Sequence, residues 1–231
     1  MINTYSESSL HKTVKNLYAD RYGGQTEQAV NGKICDVVTA DGGIIEIQSG
    51  NLGKLTEKLR LLITDHPVRV IYPLCTVKYI ETMQNGVIVS CRKSPKKQNI
   101  YALFAELTSL YELLLHPDFT LEVLESEITE TRIKTDEPVQ LINKSRRFRK
   151  NWYKTDKKLR NIESVRIFST AEDYLTLLPG DLPEPFRTKD LAVTAGKHAH
   201  VTVWVLHKMG LLRLVGKNGR THLYQRTDAP F

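Results

Sequence analysis

Hydrophobic spacing along the chain changes period several times, and each change marks an element. Ser8 to Arg21 carries Leu10, Val14, Leu17 and Tyr18 at three- and four-residue intervals, the stripe of a helix that Gly23 and Gly24 end. Residues 27–48 then read as strands separated by two turn signals. Asn31-Gly32 is a strong two-residue hairpin signal, because both central positions of that turn need positive φ. It pairs Val30 with Lys33, and so Glu27 with Asp36. The second turn, Ala40-Asp41-Gly42-Gly43, sets Asp36 opposite Glu46. Asn51 to Thr64 returns to helical spacing through Leu52, Leu55, Leu59 and Leu62. Val68 to Leu74 is a continuous apolar run, as in a strand covered on both faces.

Further along, Val87 to Ser90 reads as a short strand and Ile100 to Leu115 as a helix stopped by His116-Pro117. Phe119 to Ile133 and Ser164 to Phe168 read as strands. After residue 184 the pattern shifts to a short helix with Thr188 as N-cap, then a second helix from Ala195 to Met209 that Gly210 ends. A hairpin around Lys217-Asn218-Gly219-Arg220 closes this part. Short helix, second helix and basic-tipped hairpin form the pattern of a winged helix-turn-helix. Lys197, His198, His200 and Thr202 then fall at the front of the presumed recognition helix, where base and phosphate contacts sit. Lys217 and Arg220 tip the wing. A protein–protein module is the alternative for this region.

The hairpin register carries the main chemical expectation. Facing residues on antiparallel strands share a face with Cβ atoms roughly 5 Å apart. Glu27, Asp36 and Glu46 would repel one another there unless a cation sat between them, and Mg²⁺ suits carboxylate oxygens and phosphate. Gln48, two residues past Glu46, lies on the same face.

Composition narrows the classes. The chain has 231 residues, 41% hydrophobic and 26% charged, as expected of a soluble globular protein. No apolar run approaches the roughly 20 residues of a membrane helix, and the N-terminus lacks a signal-peptide core, so the cytoplasm is the expected location. Cys35, Cys75 and Cys91 lie far apart and suit neither a zinc site nor a disulfide framework. No Gly-rich phosphate loop or nucleophile elbow is present. Of the net charge of +7, Lys144 to Arg160 alone carries +8, from nine Lys or Arg against one Asp, which leaves the rest near balance. Phe148, Trp152 and Tyr153 interleave with Arg146, Arg147, Arg149 and Lys150, and aromatics beside cations favour a nucleic-acid partner over a merely solvated loop. The basic turn from Arg92 to Lys97, with Lys96 and Lys97, is a second candidate phosphate contact.

Asp36, a nine-residue gap, then Glu46-Ile47-Gln48, on strands flanked by helices, resembles the PD-(D/E)xK nuclease superfamily, in the manner of Holliday-junction resolvases and restriction endonucleases. Glu7 matches a helix glutamate that some members add. The resemblance covers about the first hundred residues. End to end, the chain also resembles a group of uncharacterised bacterial proteins with a similar EIQ strand, RVIYP-like strand, RKSPK-like turn and C-terminal winged helix.

The superfamily resemblance implies an α/β, restriction endonuclease-like core at 1–117; the residue pattern adds a β-rich basic connector at 118–169 and a winged helix at 170–231. It also implies metal-dependent phosphodiester hydrolysis, with DNA as the expected substrate and RNA left open. Asp36 and Glu46 would hold Mg²⁺ or Mn²⁺, and Gln48 would position the attacking water. Gln48 departs from the family lysine and brings no positive charge, although some restriction endonucleases resemble this chain in using Gln. Lys54 or Lys58, on the following helix, would supply charge. Cutting both strands commonly needs two sites, which suits a homodimer. The alternative is a nuclease-like DNA-binding or regulatory protein that has lost catalysis.

Overall fold

The computed structural model describes residues 7–140 and 149–227. Helix α1 (Ser9–Tyr22) starts where the Ser8 side chain accepts from the His11 amide and stops at Gly23, whose φ of 56° is left-handed. Strands β1 (Gln25–Val30) and β2 (Lys33–Val38) pair in the expected register, Val30 with Lys33, around Asn31 and Gly32 at φ 48° and 73°. Strand β3 (Ile44–Ile47) pairs Val37 with Ile45, and continuing that ladder sets Asp36 across from Glu46. A 3-10 turn (Leu52–Leu55) and α2 (Thr56–Leu62) then carry the chain to β4 (Val68–Gln84), parallel to β3. The expected order of helix, three strands, helix and buried strand is present.

Strand β4 runs ten residues beyond its apolar start and pairs with β5 (Val87–Lys93) along its far half. Strands β6 (Phe119–Gln140) and β7 (Arg149–Phe168) complete one mixed sheet in the order β1-β2-β3-β4-β6-β7. The segment expected as a β-rich connector at 118–169 supplies two strands of this sheet, with β6 parallel to β4 from Val68–Phe119 to Met83–Ile133. The expected helix at 100–115 also shortens, to a 3-10 turn (Ile100–Leu103) and α3 (Phe104–Leu107). The Thr108 hydroxyl donates to the Ala105 carbonyl, a local bond of the kind that competes with helix propagation.

Apolar side chains cover both faces of the sheet. Leu10, Val14 and Tyr18 of α1 pack on Val37, Ile45, Ile47, Ile71 and Leu124. On the other face, Leu59 and Leu62 of α2 join Val70, Phe104, Leu107 and Leu121. Each fully buried side chain of this size contributes about 1.5–3 kcal/mol. That second cluster continues without a break into the C-terminal part through Leu191, Val203, Leu206 and Leu212. There α4 (Ala171–Leu175) precedes α5 (Thr188–Ala195), a 3-10 turn (Gly196–His198), α6 (Ala199–Lys208) and the hairpin of β8 (Leu212–Asn218) with β9 (Thr221–Arg226). Arg187, not Thr188, occupies the N-cap of α5, and its amide donates to Asp190. No helix of the described residues is long and apolar enough to cross a membrane.

Candidate functional site

Strands β2 and β3 bring Asp36 and Glu46 together, and both flanking helices reach the pair. Asp36 Oδ2 accepts from the Ile47 amide at 2.8 Å, and the Asp36 amide lies 3.4 Å from Glu46 Oε1. Glu46 is 2% exposed. Among the described residues its close cation is Lys58 of α2, with Nζ 2.5 Å from Oε1, and Lys58 also donates to the Ile34 carbonyl at 2.6 Å. Lys54, the other candidate on that side, points to solvent.

From α1, His11 Nε2 lies 3.2 Å from Asp36 Oδ1 and 3.4 Å from Glu7 Oε1. Lys15, one turn on, joins Glu7 at 2.7 Å to Glu27 at 2.8 Å. Glu27, at a φ of 56°, therefore has a lysine for its partner and does not form a third wall of the carboxylate pair. Gln48 also departs from expectation. Its side-chain amide donates to the carbonyls of Gly50 (2.6 Å) and Asn51 (3.3 Å), closing the loop after β3.

The two carboxyls are driven apart electrostatically. Burial and the neighbouring Asp36 charge push Glu46 upward, against the opposing pull of Lys58. Burial also opposes the Asp36 charge, yet the hydrogen bond and charge of His11, with the Ile47 amide, hold Asp36 below the usual carboxylate range. Perturbed, opposed neighbours of this kind mark functional sites more often than bare surface carboxylates do. Among the described residues, no three of His, Cys, Asp and Glu are placed to hold a metal together. Two carboxylates remain, which is the number a Mg²⁺ ion commonly takes from a protein when substrate phosphates complete its shell.

The predicted contact residues scatter over several surfaces. Lys96 and Lys97 line a cleft of about 650 Å³, together with Lys197 from the turn between α5 and α6. His200 is exposed and His198 half-buried, but Thr202 is fully buried and its hydroxyl donates to the His198 carbonyl. Thr202 is thus a packing residue, because its position on α6 faces the core. Lys217 and Arg220 are exposed around the β8–β9 turn. Lys150 lies over the Trp152 ring at 5.0 Å, and Arg132 stacks on the same ring at 3.7 Å. Arg146 and Arg147 lie outside the described residues, and Arg149 contributes its backbone to β7.

Residues 8–169 match the family model described as Domain of unknown function (DUF8091), and the chain belongs to that family. A Treponema pallidum (strain Nichols) protein, described as uncharacterized, is 34% identical over 229 residues, covering 97% of this chain and 87% of its own length. No solved structure matches the chain.

Proposed function

We propose that the protein is a metal-dependent nuclease of the PD-(D/E)xK type, acting on DNA, with a C-terminal winged helix as a second contact surface. The observation that carries this reading is the convergence of Asp36, Glu46 and Lys58 from β2, β3 and α2. Asp36 and Glu46 would hold Mg²⁺ or Mn²⁺, which when bound polarises the phosphate and activates water. Lys58 supplies the cation that Gln48 lacks, from the helix instead of from the strand. It neutralises Glu46 before substrate arrives and is free to turn toward a phosphate oxygen once the carboxylate has another partner. His11, 3.2 Å from Oδ1, and the Ile47 amide, donating to Oδ2, hold the Asp36 carboxylate in place. Gln48 shapes the loop that follows the motif and acts through it.

One observation favours a second reading, a binding protein without catalysis: the Gln48 amide is spent on Gly50 and Asn51. Plasmid and single-stranded DNA incubated with the full chain, in Mg²⁺, Mn²⁺ or EDTA, separate the two. The nuclease reading expects cleavage in metal alone, reduced at least a hundredfold in Glu46→Ala and in Lys58→Ala while DNA binding persists. Cleavage that Glu46→Ala leaves unchanged overturns the site, and binding with no cleavage in any metal selects the second reading.

A further inference from the structure

Strand β4 is paired on one edge with β3 as far as Ile71 and with β5 from Tyr79 onward. Between them, among the described residues, that edge has no strand beside it, and Pro73, which brings no amide donor, sits in this gap where a ladder bond is not required. The gap opens into the 650 Å³ cleft: Tyr72, Pro73, Cys75 and Lys78 of β4 line it. The turn after β5 forms one side, fixed because the Ser94 amide donates to the Lys78 carbonyl at 2.7 Å and the Lys96 amide to Ser94 Oγ at 3.3 Å.

Five lysines line this cleft: Lys78, Lys96, Lys97, Lys157 and Lys197. Glu106 and Glu130 line it too; Glu106 accepts from the Leu52 amide at 3.0 Å, and the Glu130 carboxylate is committed to Arg132, Lys154 and Lys78. Lys96, Lys97, Lys157 and Lys197 form no ion pair among the described residues. Lys157 differs from the other three in being partly buried in the wall beside Lys154 and Lys78. Burial and those two like charges hold its ammonium below the usual lysine range. A partly buried cation facing other cations costs stability, and a ligand of opposite charge removes that cost. A second hollow, of about 420 Å³ and lined by Glu7 and His11, meets the cleft at Ser49 and Lys157. Lys157 thus stands where the lysine cleft adjoins the side chain that holds Asp36.

From this we infer that the gap between β3 and β5 is a phosphate-binding cleft, with Lys157 its central contact and Lys78, Lys96, Lys97 and Lys197 around it. Phosphates of a nucleic-acid strand leaving the carboxylate pair fit this chemistry, and so do those of a free nucleoside polyphosphate. Only the choice of a strand rests on the proposed function; the cleft itself does not.

The test uses the full chain in EDTA, so cleavage plays no part. A fluorescent 12-nucleotide single strand is titrated by anisotropy, with ATP as competitor. Lys157→Gln is expected to weaken binding at least tenfold and to melt at or above the wild-type temperature, because it removes a partly buried, unpaired charge. Lys33→Ala, exposed at the first hairpin turn, is expected to stay within twofold. Displacement by ATP at lower concentration than by unlabelled strand assigns the cleft to free nucleotides; the reverse order assigns it to a strand. Binding by Lys157→Gln within twofold of wild type overturns the inference, as does a melting temperature lowered by several degrees. A chain that never cuts DNA but loses binding in Lys157→Gln refutes the nuclease reading alone.

Discussion

Glu130 is 1% exposed, with Arg132 Nη2 at 2.5 Å, Lys154 Nζ at 2.8 Å and Lys78 Nζ at 3.4 Å from its oxygens. Burial alone raises such a carboxyl; hydrogen bonds from Lys154 and Arg132, with the surrounding positive charge, overcome it and bring Glu130 down to about 2. Because the folded value lies below the usual glutamate value of roughly 4.3, the contribution to stability is present above that pH and disappears as pH falls toward 2. Melting temperature measured from pH 6 to pH 2 is expected to fall through that window, and Glu130→Gln should flatten the fall. Part of this residue-scale picture was legible in the sequence. The Asn31-Gly32 turn set the pairing of Glu27 with Asp36, and the turn Ala40-Asp41-Gly42-Gly43 set that of Asp36 with Glu46. His11 was not legible, since a histidine on an amphipathic helix reads as surface until the helix is laid against β2. Lys58 was legible only as a nearby charge, because its reach to Glu46 depends on where α2 docks.

At the scale of elements, the join between α1 and β1 is the tightest constraint near the site. A Cβ on Gly24 would meet Val37 Cγ1 at 2.6 Å and the Val38 carbonyl oxygen at 2.8 Å. The second of these is backbone and cannot rotate away. Gly24→Ala is therefore expected to destabilise the protein by roughly 1–3 kcal/mol, read as a shifted urea midpoint with unchanged slope. The same substitution should also loosen α1, and with it the hold of His11 on Asp36. Helix and strand types followed from spacing wherever the apolar period was clean, as in α1 and β4. Lengths were less legible: β6 and β7 extend each other through pairing, and no local pattern in their Glu-, Thr- and Lys-rich sequence reports a partner.

Across the whole molecule, residues 1–117 and 118–169 share one sheet, and one apolar cluster runs through them into the C-terminal part. Residues 1–117 would expose the β6-facing edge of β4 and leave Val70, Phe104 and Leu107 without Leu121 or Val123. That fragment is expected to lack a cooperative thermal transition by circular dichroism, whereas the full chain unfolds in one. The cleft was invisible in sequence for the same reason. It exists because β3 and β5, forty residues apart, leave a space between them on the same edge of β4, and no local pattern reports a gap.

Two hydrogen bonds tie the front of α1 to β7. The Ser9 amide donates to Asp156 Oδ1 at 2.8 Å and the Ser9 hydroxyl to Oδ2 at 2.5 Å, so the front of α1 is anchored by a residue 147 positions later. During synthesis, the strands bearing Asp36 and Glu46 emerge well before the strand that steadies the helix behind them. At about 5–20 residues per second, the interval is on the order of ten seconds. The carboxylate pair is made early and completed late, which gives the nascent chain a built-in delay before its site takes shape.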